Sequence, residues 1–501
     1  MSTSTQPVPA SHSSVGVLFK NIVQGSGLYS LATIGQRLAS VILLPVLTRC
    51  LAPSDYGVME LLDQVGSVLA TLLGANFSSG LGYFYFQTNT REDRGRVVGT
   101  TVMGAACIGT LAGLICWPFS APLSRLVFGS DIAAFYLRIL FVSLPLGFAL
   151  EALFGWLRVE DRPGVYVGWS FCRMGVTIAT ILVLVAGLRL KVLGVLLSSF
   201  TTFLLLSVAM GVYCWRQMRP RFDPRLFVRI ARFTAPIGVG GLALFVINFG
   251  DRFFLRPYVS LADLGLYALS YKIGMLVSVV FSSFYSYWGA QVYGIMKRDD
   301  ADAVFARIQT YTAAGLSFLC LGLIVFSKPV FRLMAPPAYF GATRLIPIIV
   351  LAYGIRSMGD FFRSLYYVAG RPGADAVCNW LGAALCLGGY MALIPRFGVW
   401  GAAIATVIAF SVIGLICMVW TYRLRSYQLE TSRLVKIAIA FAAAIVPYSL
   451  VPVSSLGAQI AWAFLAVAIF PAVLWILGFP TPRERALLAR ARRVALKEPR
   501  P

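Results

Sequence analysis

Histidine is almost missing from this chain: the single one, His12, lies in the first polar stretch. That excludes histidine-based catalysis and a histidine metal site. Nine cysteines are present but form no CxxC and no Cys/His cluster, so they hold no metal. Most sit inside apolar stretches (Cys107, Cys116, Cys172, Cys320, Cys386) and read as small packing residues. No GxxxxGK[ST] occurs, so the chain carries no P-loop ATPase. No cofactor is implied. Long hydrophilic runs are also absent. The longest polar breaks are Met1–Val17, Arg216–Ala235, Lys328–Arg344 and Pro480–Pro501. None is large enough for a soluble catalytic domain, so the reading is a protein that is not an enzyme. The first break has no apolar core before a cleavage site and is not a cleavable signal peptide; it is expected to be disordered. Carboxylates are scarce, with 20 Asp and Glu against 43 Lys and Arg, a net charge of +23.

What the chain has in abundance is apolar length. Hydrophobic residues are 58% of 501, and mean hydropathy is +0.79. About fourteen stretches are long enough to cross a ~30 Å hydrocarbon core as helices. They lie at about 20–48, 57–87, 96–118, 131–158, 164–187, 191–215, 232–256, 264–293, 305–327, 343–368, 374–394, 398–422, 434–453 and 457–478. The expected fold is an all-α polytopic membrane protein. The basic excess then needs no nucleic acid, because cytoplasmic loops collect Lys and Arg. With the N-terminus inside, cytoplasmic segments hold 27 basic residues and the opposite loops 10. Both termini are therefore expected in the cytoplasm. Prolines inside spans (Pro45, Pro145, Pro236, Pro347, Pro447) are expected to bend helices.

A repeat is present at an offset of about 208. Asp55-Tyr-Gly57 meets Asp263-Leu-Gly265, Arg162-Pro-Gly164 meets Arg371-Pro-Gly373, and Arg189-Leu-Lys-Val-Leu-Gly194 meets Arg396-Phe-Gly-Val-Trp-Gly401. Each motif falls at the same span boundary in both halves. This predicts two parallel six-helix repeats, with cargo held near the midplane. The boundaries read as a tail 1–17, a first lobe 18–215, a basic cytoplasmic linker 216–235, a second lobe 236–423, two extra helices in 424–478 and a basic cytoplasmic tail 479–501.

Charges lie deep in several spans. Arg37, Arg173, Lys272, Arg356 and Arg363 outnumber the deep carboxylates Glu151 and Asp360, which sit eleven residues before Arg162 and Arg371. At 1.5 Å per residue that is ~16 Å from the loop, near mid-bilayer. Charge at that depth pairs or lines a cavity. Two readings compete. The charges can pair as structural locks, Arg356 with Asp360 and Arg37 or Arg173 with Glu151. Alternatively the cations line a wet cleft for an anionic group such as pyrophosphate, with Glu151 and Asp360 balancing charge or coupling to ions. Asp251 and Arg252, neighbours on different helix faces, read as a structural pair. The aromatic runs 281–288 and Tyr366-Tyr367 offer stacking surfaces for sugar rings, though interfacial anchoring is the simpler reading.

Leu44-Pro-Val-Leu-Thr-Arg-Cys-Leu-Ala-Pro-Ser-Asp-Tyr-Gly57 resembles the first loop of bacterial polysaccharide-biosynthesis flippases. These belong to the multidrug/oligosaccharidyl-lipid/polysaccharide exporter superfamily. Asn248-Phe-Gly-Asp-Arg-Phe-Phe-Leu255, Leu264-Gly-Leu-Tyr-Ala-Leu-Ser-Tyr-Lys272 and Gly398-Val-Trp-Gly-Ala-Ala-Ile-Ala-Thr406 are similar to later signatures of that family. The resemblance implies two six-helix bundles forming a V that opens alternately to each side of the bacterial inner membrane. It implies transfer of undecaprenyl-diphosphate-linked oligosaccharide for exopolysaccharide, capsule or O-antigen assembly, with polysaccharide polymerase and export machinery as further partners. The alternative within the superfamily is a cation-coupled small-molecule exporter.

Overall fold

The computed structural model describes residues 42–74, 76–425, 427–451 and 453–480. Within them every regular element is helical, as a chain in hydrocarbon requires when each backbone group must be satisfied inside its own segment. The elements are α1 (42–50), α2 (Pro53–Leu69), α3 (Phe77–Tyr85), α4 (Arg91–Cys116), α5 (Ser120–Phe128), α6 (Ala134–Val159), α7 (Pro163–Ile181) and α8 (Lys191–Met218). They continue as α9 (Pro224–Phe249), α10 (Asp251–Leu255), α11 (Leu261–Ile295), α12 (Ala301–Met334), α13 (Ile346–Val368), α14 (Pro372–Leu424), α15 (Thr431–Leu450) and α16 (Leu456–Ile476).

Among the described residues eleven helices are long and apolar enough to cross a membrane. A twelfth span forms if Pro337–Arg344 and α13, bent by 45° to one another, are taken together. The 53-residue α14 is itself two helices: Gly398 (φ 53°, ψ −129°) interrupts it, a conformation that glycine tolerates and other residues rarely adopt. Its two parts match the sequence spans 374–394 and 398–422. Of the first expected span only 42–50 is described, and it is helical. The count is thus consistent with about fourteen. Pro145, Pro236 and Pro447 lie within helices as expected. Pro347 instead opens α13, where its missing N–H removes no helical hydrogen bond.

The basic segment 216–235 is mostly helical. The chain turns only over 219–223, with Arg219 left-handed (φ 46°, ψ 58°). Asp223 Oδ1 then accepts from the amides of Arg225 (2.9 Å) and Leu226 (3.2 Å) and starts α9.

Two compact units are present. Restricted to described residues, the first holds 42–50, 65–124 and 131–239, and the second holds 51–64, 125–130 and 240–480. The chain passes from one to the other inside α2, α5 and α9 and also at 50/51 and 130/131. In the second unit α15 and α16 pack on α12 through Ala440, Ala444, Ala463 and Ala466 around Leu321 and Val325. Small residues let these helix backbones approach closely. The same unit contains a reciprocal contact between the starts of α2 and α11. A Cβ on Gly57 would strike the Leu261 carbonyl, and a Cβ on Gly265 would strike the Pro53 carbonyl. Residues 53 and 261, like 57 and 265, differ by the repeat offset of 208.

Candidate functional site

Deep charges in the second unit form two connected networks. The first surrounds Arg252, which is 1% exposed. Its Nε donates to Glu60 Oε1 (2.9 Å) and its Nη1 to Asp251 Oδ1 (2.8 Å) and the Asn248 carbonyl (3.2 Å). Tyr267 donates its hydroxyl to the other oxygen of Asp251. The rings of Phe249, Tyr267 and Tyr271 lie against the guanidinium. A buried cation with two carboxylates and an aromatic lining is a closed structural network. Asp251 and Arg252, expected on different faces, form a direct ion pair, which Glu60 and Tyr267 complete. Glu60 is the partner that sequence spacing could not show. Lys272 sits at the edge of this network, donating to the Tyr56 hydroxyl (2.8 Å), 3.8 Å from Glu60 and 42% exposed.

The second network lines a cavity of about 390 Å³ within the same unit. Asn248 comes from α9, Ser278, Ser282 and Tyr285 from α11, Arg356, Asp360, Arg363 and Tyr367 from α13, and Asp375 and Asn379 from α14. Positions 356, 360, 363 and 367 recur at the helical period, so one face of α13 supplies four of these side chains. Arg363 is the hub. Its Nη1 donates to Asn379 Oδ1 (2.7 Å) and lies 3.4 Å from Asp375 and 3.6 Å from Asp360. Its Nε faces Cys417 Sγ at 3.4 Å. Tyr367 donates to Asp375 Oδ2 (3.2 Å).

Arg356 differs. Its Nη1 donates to Asn248 Oδ1 at 2.5 Å, and its guanidinium lies 5.2 Å from the Phe410 ring centre. Asn248 is oriented for this by its own Nδ2 bond to the Leu244 carbonyl (2.7 Å). The expected Arg356–Asp360 pair is not formed; Asp360 turns to Arg363, one helical step away on the other side. Nor is the cavity richly cationic. Asp375, which was not among the expected deep charges, joins Asp360 and balances the two arginines. The balance is uneven: both aspartates contact Arg363, and Arg356 is left with neutral partners.

The remaining expected residues lie elsewhere. In the first unit Arg173 Nη1 pairs with Glu151 Oε1 at 2.9 Å and stands over Phe154 and Phe203. Glu151 is 49% exposed, so this pair holds less tightly than the Arg252 network. Arg37 lies outside the described residues. Among the described residues no three His, Cys, Asp or Glu side chains converge as metal ligands. Asn248, Asp375 and Asn379 are the site members that sequence reasoning missed. The i, i+4 spacing of Asp375 and Asn379 on one helix face was the available signal.

The family model described as polysaccharide biosynthesis protein matches residues 22–288, just over half of the chain. The chain belongs to this family. The matched segment includes Asn248, Asp251, Arg252, Lys272 and Tyr285 and ends before Arg356 and Arg363. A relative is the succinoglycan biosynthesis transport protein ExoT of Rhizobium meliloti (strain 1021), 23% identical over 371 residues, which are 72% of this chain and 71% of the relative. Among solved structures, a lipid II flippase MurJ in an inward closed conformation superposes with a TM-score of 0.71 at 14% identity, covering 89% of this chain and 98% of that one. An inward-facing multidrug resistance MATE family transporter of the MOP superfamily has a TM-score of 0.63 at 15% identity, covering 78% and 94%. At these identities the structures establish the fold alone, an all-helical multi-pass membrane architecture.

Proposed function

We propose that this chain is a flippase that moves a polyprenyl-diphosphate-linked oligosaccharide across the bacterial inner membrane by alternating access, for exopolysaccharide, capsule or O-antigen assembly. The family, the transport protein relative and the flippase fold support this reading. The carrying observation is Arg356, an arginine facing a polar and aromatic cavity with, among the described residues, no carboxylate within ion-pair distance. A guanidinium that no carboxylate contacts directly is suited to a phosphate and disfavours a cationic cargo. Arg363, fixed by Asp360, Asp375 and Asn379, positions the cavity wall, and Tyr285 and Tyr367 offer ring faces to sugars. A glycan is too polar to cross hydrocarbon unaided, while its lipid tail stays in the bilayer. The charge bias of the loops supports cytoplasmic termini. Lys272 and Arg173, each already held by a neighbour, are assigned secondary roles along the route.

The test is translocation in vesicles. Purified chain is reconstituted with a lipid-linked oligosaccharide, and glycan reaching the far leaflet is scored with a non-permeant glycosidase. Protein-dependent appearance is expected. Efflux of a small organic cation with no glycan movement, across several glycans, would overturn the reading.

A further inference from the structure

A second cavity, about 380 Å³, lies outside the charged cavity, where the end of α13 meets both ends of α14. It is lined by Tyr366, Arg371, Ala374, Trp420, Arg423 and Leu424. Tyr366 is 1% exposed and spends its hydroxyl on the Cys417 carbonyl (3.3 Å), so the ring forms a fixed wall with Trp420, 6.2 Å between centres. Arg371 and Arg423 are both exposed, and among the described residues neither side chain makes an ion pair or hydrogen bond. Two free guanidiniums on an aromatic wall invite an anion, and the start of α14 adds its positive dipole end.

The repeat supplies an internal comparison. At the equivalent place in the first unit, Arg162 is neutralised: Glu160 lies 3.2 Å from it, and it donates to the Tyr213 hydroxyl at 3.3 Å. With the offset of 209 that relates Arg162 to Arg371, the counterpart of Glu160 is Ala369, exposed and without charge. With the neighbouring offset of 207, Tyr213 and Arg216 correspond to Trp420 and Arg423. The second half therefore has the arginines, lacks the carboxylate that silences one of them, and has a larger ring in place of the hydroxyl acceptor.

The geometry points to a binding site for a phosphate headgroup of a lipid, in which Arg371 and Arg423 grip the phosphate and Trp420 and Leu424 meet the start of the apolar portion. Two sources have this chemistry: an anionic phospholipid and the diphosphate of a polyprenyl carrier. The site stands whether or not the cavity at Arg356 carries cargo.

The test is lipid retention by the full-length chain, read by native mass spectrometry from detergent. Phosphatidylglycerol is titrated against phosphatidylcholine, and undecaprenyl diphosphate is then added as competitor. The wild-type chain is expected to retain phosphatidylglycerol at least tenfold better than phosphatidylcholine. The double variant Arg371→Gln with Arg423→Gln is expected to lose that preference. Ala369→Glu, an exposed change that rebuilds the first-half pairing, is expected to weaken it about tenfold while leaving the fold intact. Competition at lower concentration by undecaprenyl diphosphate assigns the site to the carrier; its absence assigns it to the phospholipid. Unchanged retention in both variants would overturn the site. Arg396→Gln, at an exposed arginine that lines neither cavity, serves as the control and is expected to leave retention unaltered; retention is read without transport, which separates this outcome from any failure of translocation.

Discussion

Arg356 and Arg363 stand two turns apart on one helix face, and their contacts predict opposite consequences for the same substitution. Arg356→Gln removes one hydrogen bond to the neutral Asn248 and one cation–π contact with Phe410. Those are worth about 1.5–3 and 0.5–1 kcal/mol at most, the Gln amide can still donate to Asn248 and recover part of the first, and no carboxylate in direct contact is orphaned. Arg363→Gln leaves Asp360 and Asp375, 34% and 21% exposed, facing each other without their shared cation. Breaking a buried pair from one side costs about 3–5 kcal/mol, and the partial exposure places this case near the low end, about 3 kcal/mol. The ordering reverses for transport. If Arg356 grips a phosphate, its loss removes a charge-assisted bond worth about 1.5–3 kcal/mol, a drop of roughly ten- to a hundredfold. Denaturant unfolding of the detergent-purified variants gives the first quantity and translocation in vesicles the second. Arg356→Gln is expected to fold nearly as well as wild type and to transport at least tenfold more slowly. Arg363→Gln is expected to unfold first. If Arg356→Gln unfolds as readily as Arg363→Gln, or transports at the wild-type rate, Arg356 is a structural residue and the assignment of its charge to cargo fails.

Two further outcomes follow from the second unit. Gly57→Ala and Gly265→Ala each force the α2 and α11 backbones apart, and each is expected to cost about 1–3 kcal/mol in unfolding experiments, whereas Gly211→Ala in α8, which meets nothing within 4 Å, is expected to leave stability unchanged or slightly raised. Glu60→Gln strips the buried Arg252 of one of its two carboxylates and is expected to cost about 3–5 kcal/mol, seen as loss of folded protein on size-exclusion chromatography; Lys272→Gln, at the exposed margin of the same network, is expected to be far milder.

Hydrophobic length made the spans readable, because a helix that crosses hydrocarbon must announce itself in twenty consecutive residues. The kink at Gly398 was readable too, as a boundary between two spans. For Glu151 depth and chemistry left two candidates, Arg37 and Arg173, and Arg173 is paired with it. On α13 the helical spacing was correct but ambiguous, since Asp360 has an arginine within reach on each side. Asp375, supplied by the next helix, draws Arg363 in, and Asn248 from α9 draws Arg356 away. Glu60 and Arg252 are 192 residues apart, and no local pattern links them. The repeat aligned Gly57 with Gly265 as counterparts; it gave no sign that they touch.

That touch has a consequence for how the chain can change over time. A residue and its duplicate in mutual contact form a self-complementary patch, the arrangement a half-length chain uses when it pairs with its own copy. Before such a chain is doubled, one codon governs both sides of the patch, and any larger side chain is felt twice. Once doubled, the two glycines are separate genetic positions that still share one steric space. Neither can enlarge unless the facing backbone yields, so the second copy does not release the first from constraint at this point. Glu160 and Ala369, counterparts at an offset of 209, have diverged.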